Sequence, residues 1–147
     1  MRQRSSADRP TVRPSVPPLT RAFLRAALLW LLAGLALLLA LAARPADLSP
    51  FWRQTAVHCI TVGWLTQMIF GVAHWMFPRA SRERPRGDTW LGWVAFVALN
   101  AGLVLRVATE PLQWQAAGGP ALALAGLLQF LGALAWVTHI WPRVKER

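Results

Sequence analysis

QTAVHCITVGWLTQMIFGVAHWMFPR, residues 54–79, is apolar enough to cross a bilayer. It nevertheless holds two of the three histidines, His58 and His74, and the only cysteine, Cys59. Gln, Thr and Gly stand where Leu would insert more readily, and the stretch stops at Pro78-Arg79. Polar groups at bilayer depth are costly to keep, so a span that retains several is a candidate functional site. The rest of the chain reads as the box around it.

The chain has 147 residues, 55% hydrophobic and 15% charged, with only six acids, which is the make-up of one integral membrane domain. Fifteen of the sixteen cations are arginine, and nearly all lie between apolar runs. Nine Trp and no Tyr leave interfacial anchoring to tryptophan, with Trp52, Trp75, Trp90, Trp114 and Trp141 at span ends. A single cysteine makes no internal disulfide.

Taken in order, a basic Pro- and Ser-rich stretch over residues 1–18 reads as a disordered cytoplasmic tail. Spans follow at about 19–43, 54–77, 89–108 and 120–141, then a basic tail at 143–147. The first run is longer than the core of a signal peptide and reads as a retained helix, although Ala40-Leu41-Ala42 resembles a cleavage site. With both termini cytoplasmic, thirteen of sixteen cations fall on one side: six before and within the start of helix one, four in 79–86 and three after Pro142. Only Arg44 and Arg53 lie opposite, and Arg106 lies inside span three. The fold expected is therefore an all-α membrane four-helix bundle, up-down-up-down, with both termini cytoplasmic. The positive charge is topological, and a nucleic-acid partner is not expected. The lipid bilayer is the expected surround.

Val72-Ala-His74-Trp-Met-Phe-Pro78-Arg79 in helix two echoes Val137-Thr-His139-Ile-Trp-Pro142-Arg143 in helix four, a faint internal repeat. The echo puts His74 and His139 at one depth, near the cytoplasmic face. Behind them, Gly63, Gln67, Gly71 and His74 share one helix face, as do Ala125, Gln129, Gly132 and His139. Small residues admit either a neighbouring helix or a flat macrocycle. The pair is thus a candidate haem-iron ligand set, or two histidines hydrogen-bonded in the headgroup region.

His58 lies sixteen residues before His74, about 24 Å along a helix, so the two cannot share a metal. Arg106 sits at a similar depth to His58. One reading is a haem ligated by His58 with its propionates on Arg106 and Arg53. The other is an Arg106 that snorkels or pairs with Glu110 at i+4. Cys59 and His58 point about 100° apart and make a poor shared metal site. Asn100 reads as an interhelical hydrogen bond. No Ser-His-Asp set, carboxylate pair, phosphate loop or CxxC occurs, which disfavours hydrolytic or group-transfer chemistry.

His58, Gly63-Trp64, Ile69-Phe70-Gly71-Val72-Ala73 and Phe77-Pro78-Arg79 together resemble the haem-ligating second helix of haem-copper oxidase subunit I, nearest its nitric-oxide-reductase and cbb3-type branch. Trp93, Asn100-Ala-Gly102-Leu and Leu105-Arg106 are similar to short bacterial four-helix membrane proteins likened to that subunit. The likeness covers about residues 20–142. It implies b-type haem on His58, and a role in electron transfer or haem/gas sensing beside a respiratory oxidase or reductase. The later histidines for a second axial position, a high-spin haem and copper have no counterpart here, so stand-alone catalysis is not expected. A second haem ligand then comes from a homodimer mate, or the haem is five-coordinate. The competing expectation is a haem-free accessory or assembly subunit packed on a respiratory complex.

Overall fold

The computed structural model describes residues 16–43, 51–77, 89–112 and 118–145. The tail at 1–15, the 79–86 arginines, Arg44 and Trp114 lie outside the described residues. Four helices result: α1, Pro18–Ala43; α2, Trp52–Met76; α3, Trp90–Thr109; and α4, Gly118–Lys145. Each is long and apolar enough to cross a membrane, because at bilayer depth a helix satisfies its own backbone.

Local chemistry sets the ends. Pro18 occupies the first position of α1, where a missing N–H costs nothing, and Arg21 N–H donates to the Pro17 carbonyl at 3.0 Å. Phe77 closes α2 with an extended ψ of 146°, as expected for a residue that precedes proline. A 3₁₀ turn, Glu110–Leu112, ends α3 and brings Glu110 back against the bundle. Helix α4 differs from the expected stop at 141: it continues through Pro142 to Lys145. Arg143 is therefore a helical residue and buried, not part of a tail.

The helices alternate in direction. Gly92 at the start of α3 lies against Leu19 at the start of α1 and against His139 near the end of α4. Gly34 late in α1 meets Ala56, Cys59 and Ile60 early in α2, and Gly102 late in α3 meets Ala125 and Gln129 early in α4. The tightest packing is within the two hairpins, α1 on α2 and α3 on α4. At several glycines a side chain would strike the neighbouring helix: a Cβ at Gly63 would lie 2.6 Å from Trp30 Cβ, and one at Gly132 would lie 2.9 Å from Leu99 Cγ. The two glycine-bearing stripes thus receive helices. Between the hairpins, Phe23 makes edge contacts with Phe96 and Trp136, and Phe70, itself edge-on to Phe23 within its own hairpin, stacks on Trp136 at 4.5 Å.

Helix α2 is not a uniform α-helix. Residues Cys59–Thr66 form wide π turns, directly after His58. The Thr66 hydroxyl donates to the Thr61 carbonyl five residues back at 3.0 Å, and the Thr61 hydroxyl to the Val57 carbonyl at 2.8 Å. Thr55, Cys59, Gly63, Gln67 and Gly71 are all buried, at a constant spacing of four. An α-helix would carry Gly71 about 160° around the axis from Thr55 over those sixteen steps. The slower rotation of the wide turns keeps this row facing inward.

At mid-depth the side chains of Gln67 and Asn100 form a reciprocal amide pair. Asn100 Nδ2 donates to Gln67 Oε1 at 3.0 Å, and Gln67 Nε2 donates to Asn100 Oδ1 at 3.2 Å. Trp30 Nε1 donates to the same Oδ1 at 2.8 Å, and Asn100 Nδ2 also reaches the Phe96 carbonyl at 2.8 Å. This clamp ties α1, α2 and α3 together, as Asn100 alone suggested. Hydrogen bonds between membrane helices contribute about 0.6 kcal/mol on average, but an orphaned amide adds its burial cost of roughly 1–3 kcal/mol. Asn100→Leu and Gln67→Leu should each lower stability to denaturing detergent by about 1–2 kcal/mol. The double substitution should cost less than the sum, as read by a double-mutant cycle.

Candidate functional site

Two histidine clusters occupy opposite ends of the bundle. At the end shared by the start of α1 and the end of α4, His74 and His139 meet. His139 Nε2 is 3.2 Å from His74 Nδ1, with the rings stacked at 5.3 Å and 29°. The matched depth read from the two Pro-Arg stops thus brings both rings into contact. Trp136, one turn before His139, borders both rings at 6.2 and 5.6 Å. Arg143 completes the group. Its NH1 lies 3.4 Å from His74 Nδ1, and its NH2 donates to the carbonyls of His74 at 3.2 Å and Phe77 at 2.7 Å.

A guanidinium only donates, so His74 Nδ1 is an acceptor, and the proton between the rings belongs to His139 Nε2. Arg143 also caps the last carbonyls of α2, where the helix dipole is negative. It acts as a latch between α2 and α4. Beside the latch an apolar groove of about 790 Å³ runs between Met68, Met76, Phe77 and Val144. Sequence reasoning passed over Arg143 because Pro142 read as the end of the helix. Trp136, three residues before His139, carried a helical-spacing signal for the same face.

The opposite end gathers His58, Arg106 and Glu110. Glu110 is 1% exposed. Its Oε1 accepts from Arg106 NH1 at 3.1 Å and lies 3.4 Å from His58 Nδ1. The same Nδ1 is 2.9 Å from the Gln54 carbonyl. Carbonyl oxygens cannot donate, so Nδ1 carries the proton, and the other ring nitrogen, Nε2, presents its lone pair. The ring is about one-third exposed, at 32%. Arg53 is exposed about a turn and a half earlier in α2. Arg106 makes the i+4 pair with Glu110 that the sequence offered as one of its two readings. Cys59 is buried beneath Gly34, on a different face from His58. Among the described residues, no three of His, Cys, Asp and Glu cluster as a metal set. Glu110 was legible only as a partner of Arg106, since its approach to His58 depends on the 3₁₀ turn.

These features define a multi-pass membrane four-helix protein with polar clusters built into both ends and the middle. The chain belongs to the NnrS family, whose model, described as NnrS protein, matches residues 14–146. That family consists of membrane proteins related to the haem-copper group and linked to the nitric-oxide response and haem binding. Comparison with the curated proteins and with the solved structures finds no match.

Loss of the latch should be measurable. Arg143→Met removes charged hydrogen bonds to two buried carbonyls, each worth roughly 1.5–3 kcal/mol. The expected outcome is a loss of at least about 2 kcal/mol in detergent unfolding, with Arg143→Lys recovering part of it. Unchanged stability in Arg143→Met would remove the latch.

Proposed function

We propose that this protein binds b-type haem through His58 and serves electron transfer or haem/gas sensing beside a respiratory oxidase or reductase. The carrying observation is the state of the His58 ring: Nδ1 is committed to the Gln54 carbonyl and faces Glu110, which leaves Nε2 as the available donor atom. This donor chemistry fits an axial haem ligand, since ligating histidines almost always donate their other N–H to a carbonyl or carboxylate. The onset of π turns at the next residue agrees, because such turns recur at functional sites. Family membership and the likeness of the second helix to oxidase subunits support the same reading.

His74 and His139 fit the role less well, because the two rings already engage each other and His74 also engages Arg143. Bound haem would supply a one-electron carrier or a gas-binding iron. The chain supplies the His58 ligand and, at Arg53, a guanidinium for a carboxylate side group. A second axial ligand, where there is one, comes from another copy of the chain or from a respiratory partner.

Purification in detergent after expression with ample haem should give a Soret band and a b-type pyridine haemochrome spectrum. His58→Ala should abolish both at unchanged protein yield, whereas His139→Ala should retain them. A colourless wild-type protein that co-purifies with a larger respiratory complex would instead establish the accessory-subunit reading.

A further inference from the structure

The geometry points to Glu110 as a positioning residue that sets the ligand character of His58, an inference that rests on the haem reading above. Glu110 reaches His58 from a different helix hairpin: His58 belongs to α2, whereas Glu110 opens the 3₁₀ turn after α3. Glu110 is 1% exposed, and its Oε2 has no hydrogen-bond partner among the described residues. A buried carboxylate with one oxygen unused is expensive to maintain. Its other oxygen is shared between two groups: it accepts from Arg106 NH1 at 3.1 Å and lies 3.4 Å from His58 Nδ1, whose proton is donated to the Gln54 carbonyl at 2.9 Å.

That sharing has a defined consequence. The Arg106 guanidinium draws Oε1 toward itself, and the carboxylate draws on the His58 Nδ1 proton. The more negative the group behind Nδ1, the more basic Nε2 becomes as a ligand. Ferric haem carries one more positive charge than ferrous haem, so a basic ligand and a nearby carboxylate both favour the ferric state. Arg106 offsets this. The two residues therefore act on one iron with opposite signs, and their balance sets where the couple Fe(III) + e⁻ → Fe(II) lies. Arg106 thus serves as the counterweight to Glu110, a role it can fill without binding a propionate.

The experiment uses the full chain in detergent micelles and has two parts. In the haem-loaded protein, mediated redox titration should show Glu110→Gln shifted toward the ferrous state. At one fixed ambient potential, its ferrous-to-ferric ratio should be about tenfold above wild type. Arg106→Gln should shift the other way, with haem retained in both. In the haem-free protein, ¹⁵N spectra of the histidine rings should show His58 as the Nδ1–H form. A merely structural role would lower haem occupancy in both variants without moving the potentials in opposite directions. Haem held by His58 with potentials unmoved, or moved in the same direction, overturns the role of Glu110 and leaves the functional reading standing. An Nε2–H ring on His58 in the haem-free protein also overturns it, including where Glu110→Gln does not fold. Absence of haem, or haem that survives His58→Ala, overturns the functional reading itself.

Discussion

Helix α2 must bury a row of residues spaced by four while it crosses the membrane, and the rest of the bundle follows from how it does so. Thr55, Cys59, Gly63, Gln67 and Gly71 all face inward. In a regular α-helix the row would wind about 160° around the axis, and the two ends of α2 would face different neighbours. The wide turns of Cys59–Thr66 remove most of that winding. Their position is set by close approach: α1 presses on the segment through Gly34 at one end and through Trp30 on Gly63 at the other. One helix can then present Gln67 to Asn100 in mid-membrane and His74 to His139 at its end.

A second constraint is the absence of water. Polar side chains at depth find their partners within the protein, and the bundle gathers most of these contacts in three layers. The end layer pairs two imidazoles with a guanidinium, the middle layer pairs two amides with an indole, and the far layer pairs a carboxylate with a guanidinium and an imidazole. Each layer draws on both hairpins, and in the end and middle layers hydrogen bonds fix how one hairpin sits on the other. The apolar contacts between hairpins, Phe23 with Phe96 and Phe70 on Trp136, are less directional. Apolar packing holds the hairpins together, and the polar layers set their register.

This division explains what the sequence could show. The four spans and their alternation were legible because hydropathy and arginine placement act locally, through length and charge. The meeting of His74 with His139 was legible because both precede a proline by three or four residues, which measures depth. The Asn100 hydrogen bond was legible as a type, but its partners Gln67 and Trp30 were not, since they depend on the rotation of α2 and α1. Arg143 was hidden by the rule that proline ends helices. Here α4 runs on past Pro142 to Lys145, although the proline removes one i→i−4 backbone bond. The approach of Glu110 to His58 was hidden in a 3₁₀ turn, which no periodicity announces.

The two histidine clusters also show why residue type and depth do not identify a ligand. His74 is more buried than His58 and has a histidine partner at hydrogen-bond distance, yet the sequence reading favours His58. The Nδ1 of His74 already accepts from Arg143 and His139. A metal there would have to displace a guanidinium that also holds the end of α2. His58 is more exposed and lacks a second histidine, but its Nδ1–H is held from behind by the Gln54 carbonyl and faces the Glu110 carboxylate. That arrangement leaves a lone pair directed away from the anchoring groups, on a ring open over a third of its surface. What distinguishes a ligand from a structural histidine is which nitrogen the fold has already used.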